Sequence, residues 1–146
     1  MIEDVSNSNI DEVLPLIKAY QAFYRVAEIS EIRNRDFFSQ FGVTNPEGCQ
    51  FLFRQEGVAV AFATLYFTYT STIAAKVAVL ADLYTLPEYR GRGIARQLIE
   101  HCREFAATRG AVRLQWVTAP DNERAQGLYD SLGTGKSDWC VYTYGV

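Results

Sequence analysis

One stretch constrains this chain more than any other: Asp82-Leu83-Tyr84-Thr85-Leu86-Pro87-Glu88-Tyr89-Arg90-Gly91-Arg92-Gly93-Ile94-Ala95-Arg96-Gln97. The apolar run 77–86 predicts a buried strand, and Pro87 lacks the N–H that would continue its ladder. Arg90 to Gly93 then make a basic, glycine-rich turn into a helix that begins near Ile94. Strand, turn and helix in that order build an anion site. Amides at a helix start point outward, the helix dipole favours negative charge, and Gly91 and Gly93 let backbone approach a ligand with no Cβ between them.

The rest of the chain supplies elements around this turn. Residues 2–5 predict a short strand, and Asn7-Ser8-Asn9 offers caps for a helix over 10–26. Its apolar side chains Ile10, Val13, Leu14, Ile17, Tyr20, Phe23 and Tyr24 recur at spacings of three and four. A second helix is expected over 30–40. Aromatic and β-branched residues from Phe51 predict a hairpin, with strands over 51–54 and 58–69 joined at Gln55-Glu56-Gly57, and a third strand over 74–85. The helix after the glycine turn runs to about Arg109, with Ile94, Leu98, Ile99, Cys102, Phe105 and Ala106 on one face. A strand over 111–118 follows, then a helix over 122–132 with Ala125, Leu128, Tyr129 and Leu132 inward, and a final strand over 139–144. This order predicts an α/β fold: a mixed, mostly antiparallel central sheet with helices on both faces, its parallel crossover lying between Leu86 and Ala111. The glycine turn then falls beyond the carboxyl end of a strand, where ligands sit in such sheets.

Residues 1–146 show no repeat, linker or low-complexity segment and are expected to form a single domain, large enough to bury roughly 70% of the unfolded chain's surface. A formal net charge of −3 disfavours nucleic acid, although Arg90, Arg92 and Arg96 make one local positive spot suited to a small anion. Cys49, Cys102 and Cys140 are odd in number and lack CxxC spacing, so reduced, buried thiols in a cytoplasmic protein are expected. The N-terminus lacks the pattern of a signal peptide, and no apolar run approaches the roughly 20 residues of a membrane helix. His101 is the single histidine and sits mid-helix beside Glu100 and Arg103, which predicts a surface position. That disfavours Ser-His-Asp and Cys-His catalysis and most zinc sites, so no metal is expected.

The turn lacks the GxxxxGK[ST] spacing of a nucleoside triphosphate loop, and GxGxxG does not occur. What is present is Arg90-Gly91-Arg92-Gly93-Ile94-Ala95, followed about 30 residues later by Asn122-Glu123-Arg124-Ala125-Gln126-Gly127-Leu128-Tyr129 and Gly133. The first segment resembles the R/Q-x-x-G-x-G/A phosphate loop of the GNAT superfamily of N-acetyltransferases, and the second resembles that family's N-x-x-A-x-x-L-Y-x-x-x-G helix. Asp82-Leu83-Tyr84 and Trp116-x-Thr with Asn122 look most like the branches that acetylate polyamines, small amines or histone tails.

The resemblance implies acetyl-CoA as cosubstrate, with the backbone of Leu83, Tyr84 and Thr85 pairing with the pantetheine arm like an added strand. Amides of Arg90, Gly91, Arg92, Gly93, Ile94, Ala95 and Arg96 would take the pyrophosphate. Asn122 would bond the pantetheine, and Tyr129 would face the sulfur. Chemistry agrees: acetyl transfer to an amine needs a neutral amine, an oxyanion donor and a stabilised leaving thiolate, and a tyrosine hydroxyl can donate to that thiolate. Several members of the family carry a Glu immediately before the strand's Asp, a position that is Ala81 here, and Thr134-Gly135 replaces the usual aromatic after Gly133. Asp82 is the remaining base candidate, directly or through water. Alternation places Ala81 and Asp82 on opposite sheet faces, so a structural carboxylate touching a neighbouring helix or loop is the competing reading. Each of the three arginine side chains is either a phosphate contact or a solvated charge.

Tyr20, Tyr24, Glu28 and Glu31 either line a pocket for a cationic amine or serve helix packing and a solvated face. Two functions follow: an N-acetyltransferase for a primary amine of a small molecule or peptide, or an acetyl-CoA-binding sensor or interaction module without turnover. An RNA-contacting reading of the RGRG segment fits poorly with the acidic net charge. Trp139, Val141, Tyr142 and Tyr144 allow a homodimer through the C-terminal strand or the sheet edge.

Overall fold

A computed structural model describes residues 1–146, which fall into two units, 1–116 and 117–146. In the first, β1 (Ile2–Asp4), α1 (Ile10–Phe23), α2 (Glu31–Phe38), β2 (Gly48–Gln55), β3 (Val58–Thr70), β4 (Ala75–Thr85), α3 (Ile94–Thr108) and β5 (Leu114–Gln115) build a five-stranded sheet of order β1-β2-β3-β4-β5. The first four strands are antiparallel, and β5 joins β4 in parallel. Glu56 and Gly57, at φ 51° and 81°, turn β2 into β3; two positive φ values in succession match the right-handed strand twist.

Helices cover both faces, as the sequence predicts, and strand alternation shows how. Leu52, Phe62 and Tyr84 join Ile10, Val13, Leu16 and Ile17 of α1 in one apolar cluster. Phe51 and Phe67, one residue out of phase, face α3 instead: Phe51 lies edge-on to Phe105 at 5.1 Å, and Phe67 is 6.5 Å from the same ring. Phe51, Phe62 and Leu52 are fully buried, each contributing about 1.5–3 kcal/mol of hydrophobic stabilisation.

Several boundaries differ from expectation for identifiable reasons. α1 stops at Phe23 because Arg25 adopts φ 58° and the Val26 and Arg25 amides bond back to Gln21 O and Ala22 O, both at 3.0 Å, closing the end in a Schellman motif. α1 also runs through Pro15, which removes one helical hydrogen bond. α2 begins where Ser30 Oγ accepts the Arg33 amide at 3.1 Å. β5 is only two residues long, pairing Leu114 with Ala78 and Gln115 with Val79. The strand expected over 111–118 is cut short because the ladder ends just before an irregularity in β4: Thr64 pairs with Asp82 and Leu65 with Leu80, leaving Ala81 as a bulged residue.

In the second unit, α4 (Glu123–Ser131) is capped by Asn122, whose Oδ1 accepts the Ala125 amide at 3.3 Å. Ala125, Leu128, Tyr129 and Leu132 are its better-covered side chains, but all are half-buried rather than core. The strand expected over 139–144 does not form. Its β-prone sequence pairs with no ladder partner, and Trp139, Tyr142 and Tyr144 are exposed at 89%, 92% and 98%. No helix is long and apolar enough to cross a membrane.

Candidate active site

β4 ends where the Leu86 amide bonds to Val60 O at 2.9 Å, and a short 3-10 turn, Pro87–Tyr89, carries the chain into the glycine segment. Gly91 and Gly93 both adopt left-handed backbone, φ 77° and 76°, a conformation that only glycine takes without strain. Gly93 is the N-cap of α3, has no side-chain cap, and precedes a first turn without acidic residues. The helical ladder starts with the Gln97 amide on Gly93 O at 3.1 Å, so earlier amides such as those of Ile94 and Ala95 have no acceptor within the helix. A Cβ placed on Gly93 would meet nothing within 4 Å. The turn therefore combines outward amides, an uncompensated positive helix end and open space, which fits a pyrophosphate.

The arginines divide. Arg90 Nε donates to Thr85 O at 2.9 Å, and its guanidinium lies 5.5 Å from the Tyr84 ring and 5.6 Å from the Phe23 ring. It braces the end of β4 against α1, a role the sequence did not suggest. Arg92 Nη2 donates to Glu88 O at 3.1 Å and lies over Tyr89 at 5.1 Å. Arg96 is exposed in the first turn of α3.

On β4 itself, Leu83, Tyr84 and Thr85 pair with Ala63, Phe62 and Ala61 of β3. The opposite edge meets β5 only at Ala78 and Val79. From the bulge to Thr85 the sheet offers no second strand, so backbone groups on that edge are placed to receive an extended chain. Tyr84 and Thr85 are buried and Leu83 half-buried, and Thr85 Oγ1 is buried without a partner.

Asp82 sits at the same bulge. Because Ala81 is the extra residue there, simple alternation does not govern this pair. The register puts Asp82 opposite Thr64, on the α1 face that holds Phe62 and Tyr84. Burial is the leading influence on its carboxyl and raises the pKa above the ordinary carboxylate value; hydrogen bonds from Thr64 and Tyr20 oppose this by favouring the charged form. Tyr20 Oη also lies 3.5 Å from Ala81 O. Asp82 thus faces Tyr20 of the neighbouring helix, and burial shifts its proton affinity upward. Thr64, Gln50 and Tyr66 belong to this polar group and went unrecognised in the sequence, because only the bulged register reveals that they neighbour Asp82.

The other candidates are distributed as follows. Tyr20 packs edge-on to Tyr24 at 5.0 Å and Phe62 at 5.8 Å, extending the aromatic wall to Tyr84. Glu31 is paired with Lys18 at 2.8 Å, and Glu28 is exposed. His101 is half-buried rather than exposed: its ring lies edge-on to Phe51 at 4.5 Å, and Nε2 is buried without a hydrogen-bond partner. All three cysteines are free; Cys49 and Cys102 are buried, whereas Cys140 is exposed, contrary to expectation. Burial pushes the Cys49 thiol up to about 12 and raises Cys102 as well. In the second unit, Asn122 is the α4 cap, and Tyr129, seven residues on, lies half-buried on the same helical face. Thr134 Oγ1 donates to Tyr129 O at 2.8 Å.

Comparison with known proteins places this geometry. The acetyltransferase (GNAT) family model matches residues 14–134. The chain is 27% identical over 144 residues to the uncharacterized N-acetyltransferase YhfO of Bacillus subtilis (strain 168), covering 96% of this chain and 95% of that one. It is 38% identical over 74 residues to the thialysine N-epsilon-acetyltransferase of Bos taurus, a match spanning 51% of this chain and 43% of the bovine protein. A crystal structure of a probable acetyltransferase is similar with a TM-score of 0.87 at 26% identity, covering 100% of this chain and 97% of that one.

Proposed function

The chain belongs to the acetyltransferase (GNAT) family and is an acetyl-CoA-dependent N-acetyltransferase acting on an amine, and we propose that its acceptor is a primary amine of a small molecule or peptide that attacks the thioester directly. The observation that carries the site assignment is the half-open β4 leading into a left-handed glycine turn at an uncapped helix start. Acetyl-CoA supplies the acetyl group and a thiolate leaving group. Leu83, Tyr84 and Thr85 hold the pantetheine through backbone, with Asn122 as a further partner. Amides from Arg90 through Gly91, Arg92, Gly93, Ile94, Ala95 and Arg96 hold the pyrophosphate.

Asp82 accepts the proton of the attacking amine, directly or through one water. As nitrogen bonds to the acetyl carbon the carbon–sulfur bond breaks, and Tyr129 donates its proton to the sulfur. The thialysine relative, named for a small amine, supports the acceptor class. We further propose one functional domain over residues 1–146, a cytoplasmic location supported by three free thiols, and a homodimer supported by the exposed apolar residues of 139–144.

The test titrates acetyl-CoA and then supplies a panel of primary amines while free thiol is measured. Saturable binding followed by thiol release with at least one amine is expected. Binding without release from any amine would favour the sensor reading, and no binding would remove the site assignment.

A further inference from the structure

A row of three polar side chains crosses the sheet beneath α1. Gln50 of β2 pairs with Thr64 of β3, and Thr64 pairs with Asp82 of β4. Gln50 and Thr64 are both completely buried. Fully burying two polar side chains in the middle strands of a sheet is unfavourable unless their hydrogen bonds are made, and aliphatic residues would pack there without that cost. Gln50 even leaves its Oε1 buried and unpartnered. The row therefore needs a reason beyond packing.

Its hydrogen bonds run in one direction. Gln50 Nε2 donates to Thr64 Oγ1 at 3.0 Å. A hydroxyl has a single proton, and with its oxygen accepting from Gln50, Thr64 keeps that proton for Asp82, its partner across the β3–β4 register. Tyr20 supplies a second hydroxyl from α1. We propose that Thr64, locked by Gln50, is a positioning residue that aims the Asp82 carboxylate and holds it ready to take the acceptor amine's proton; this rests on the reading of Asp82 as the base.

The groups facing Asp82 leave few competing influences. From α1 comes Tyr20; from β3 come Thr64 and Tyr66, whose phenol is pushed up to about 12 by burial first and the Asp82 charge second. From β2 comes only Gln50, which does not titrate. Loss of the Thr64 hydroxyl removes a donor to the charged carboxylate, so burial then acts with less opposition and ionisation moves to higher pH.

The experiment follows the Asp82 carboxyl by carbon-13 NMR, its signal identified by its loss in Asp82→Asn, alongside pH profiles of kcat/KM. Thr64→Val, nearly the same shape, should move both the titration midpoint and the acidic limb of the profile upward together by roughly half a pH unit or more. Thr64→Ser should return both to the wild-type position. Gln50→Leu, which unlocks the hydroxyl while leaving it in place, should shift both in the same direction by less. An unmoved midpoint in folded Thr64→Val overturns the proposal. A midpoint that moves while the acidic limb stays fixed instead removes Asp82 as the base, and with it the catalytic part of the proposal.

Discussion

Substitution at Gly93 separates backbone strain from ligand recognition. Gly93 adopts φ 76°, and a Cβ there would meet nothing within 4 Å. Alanine therefore introduces no clash, and its cost is the left-handed conformation alone, about 1 kcal/mol of folding stability. Glutamate incurs the same strain and adds a carboxylate where the pyrophosphate is assigned. At a separation of roughly 5 Å and an effective dielectric of about 20, two unit charges repel by on the order of 3 kcal/mol. Because the turn is exposed, solvent screening reduces this by about half, which leaves roughly a tenfold loss of affinity.

Calorimetric titration with CoA should therefore place Gly93→Ala close to wild type and Gly93→Glu roughly tenfold weaker, while the two variants unfold at denaturant midpoints that differ little. High salt should narrow the gap between the variants, since their difference is electrostatic. Equal CoA affinity for Gly93→Glu and Gly93→Ala would refute the reasoning and place the pyrophosphate elsewhere.

Three further outcomes are expected. Tyr129→Phe should lower kcat by about 10²-fold, the scale of a lost proton donor, with little change in acetyl-CoA affinity; an unchanged rate removes Tyr129 from the acid role. Asp82→Asn should depress turnover yet unfold at no lower temperature than wild type near neutral pH. Burial raises the folded-state pKa of Asp82 above 3.8, so its charged form weakens the fold, and any advantage of Asn should grow as pH rises from that value through the folded-state pKa. Loss of stability at pH 7 would contradict this sign. Finally, iodoacetamide should modify only exposed Cys140 in the native protein and all three cysteines after unfolding, because Cys49 and Cys102 are buried with raised thiol pKa values; labelling of Cys49 or Cys102 in the native protein, read by peptide mass mapping, would contradict their burial.

The parts of the fold that were legible in the sequence are those set by local chemistry. Pro87, the paired glycines and the apolar face of Ile94, Leu98, Ile99 and Cys102 specify strand, turn and helix within a few residues of one another. Features that depend on nonlocal pairing were not legible. The bulge at Ala81 decides which β3 residue faces Asp82, and neither strand's alternation announces it. Residues 139–144 have strand propensity, but propensity supplies no ladder partner. Arg90 read as a free cation because the Phe23 ring it lies against comes from α1, far upstream in the chain. His101 read as exposed from its charged neighbours, although its ring packs on Phe51 from a strand about 50 residues earlier.

The most direct measurement of the central claim is a crystal structure of the protein with CoA bound. The account predicts pantetheine alongside Leu83, Tyr84 and Thr85, pyrophosphate oxygens within hydrogen-bond distance of amides between Gly91 and Arg96, and the sulfur facing Tyr129. Pyrophosphate bound away from the Gly91–Gly93 turn, or pantetheine that makes no backbone hydrogen bonds to β4, would contradict it.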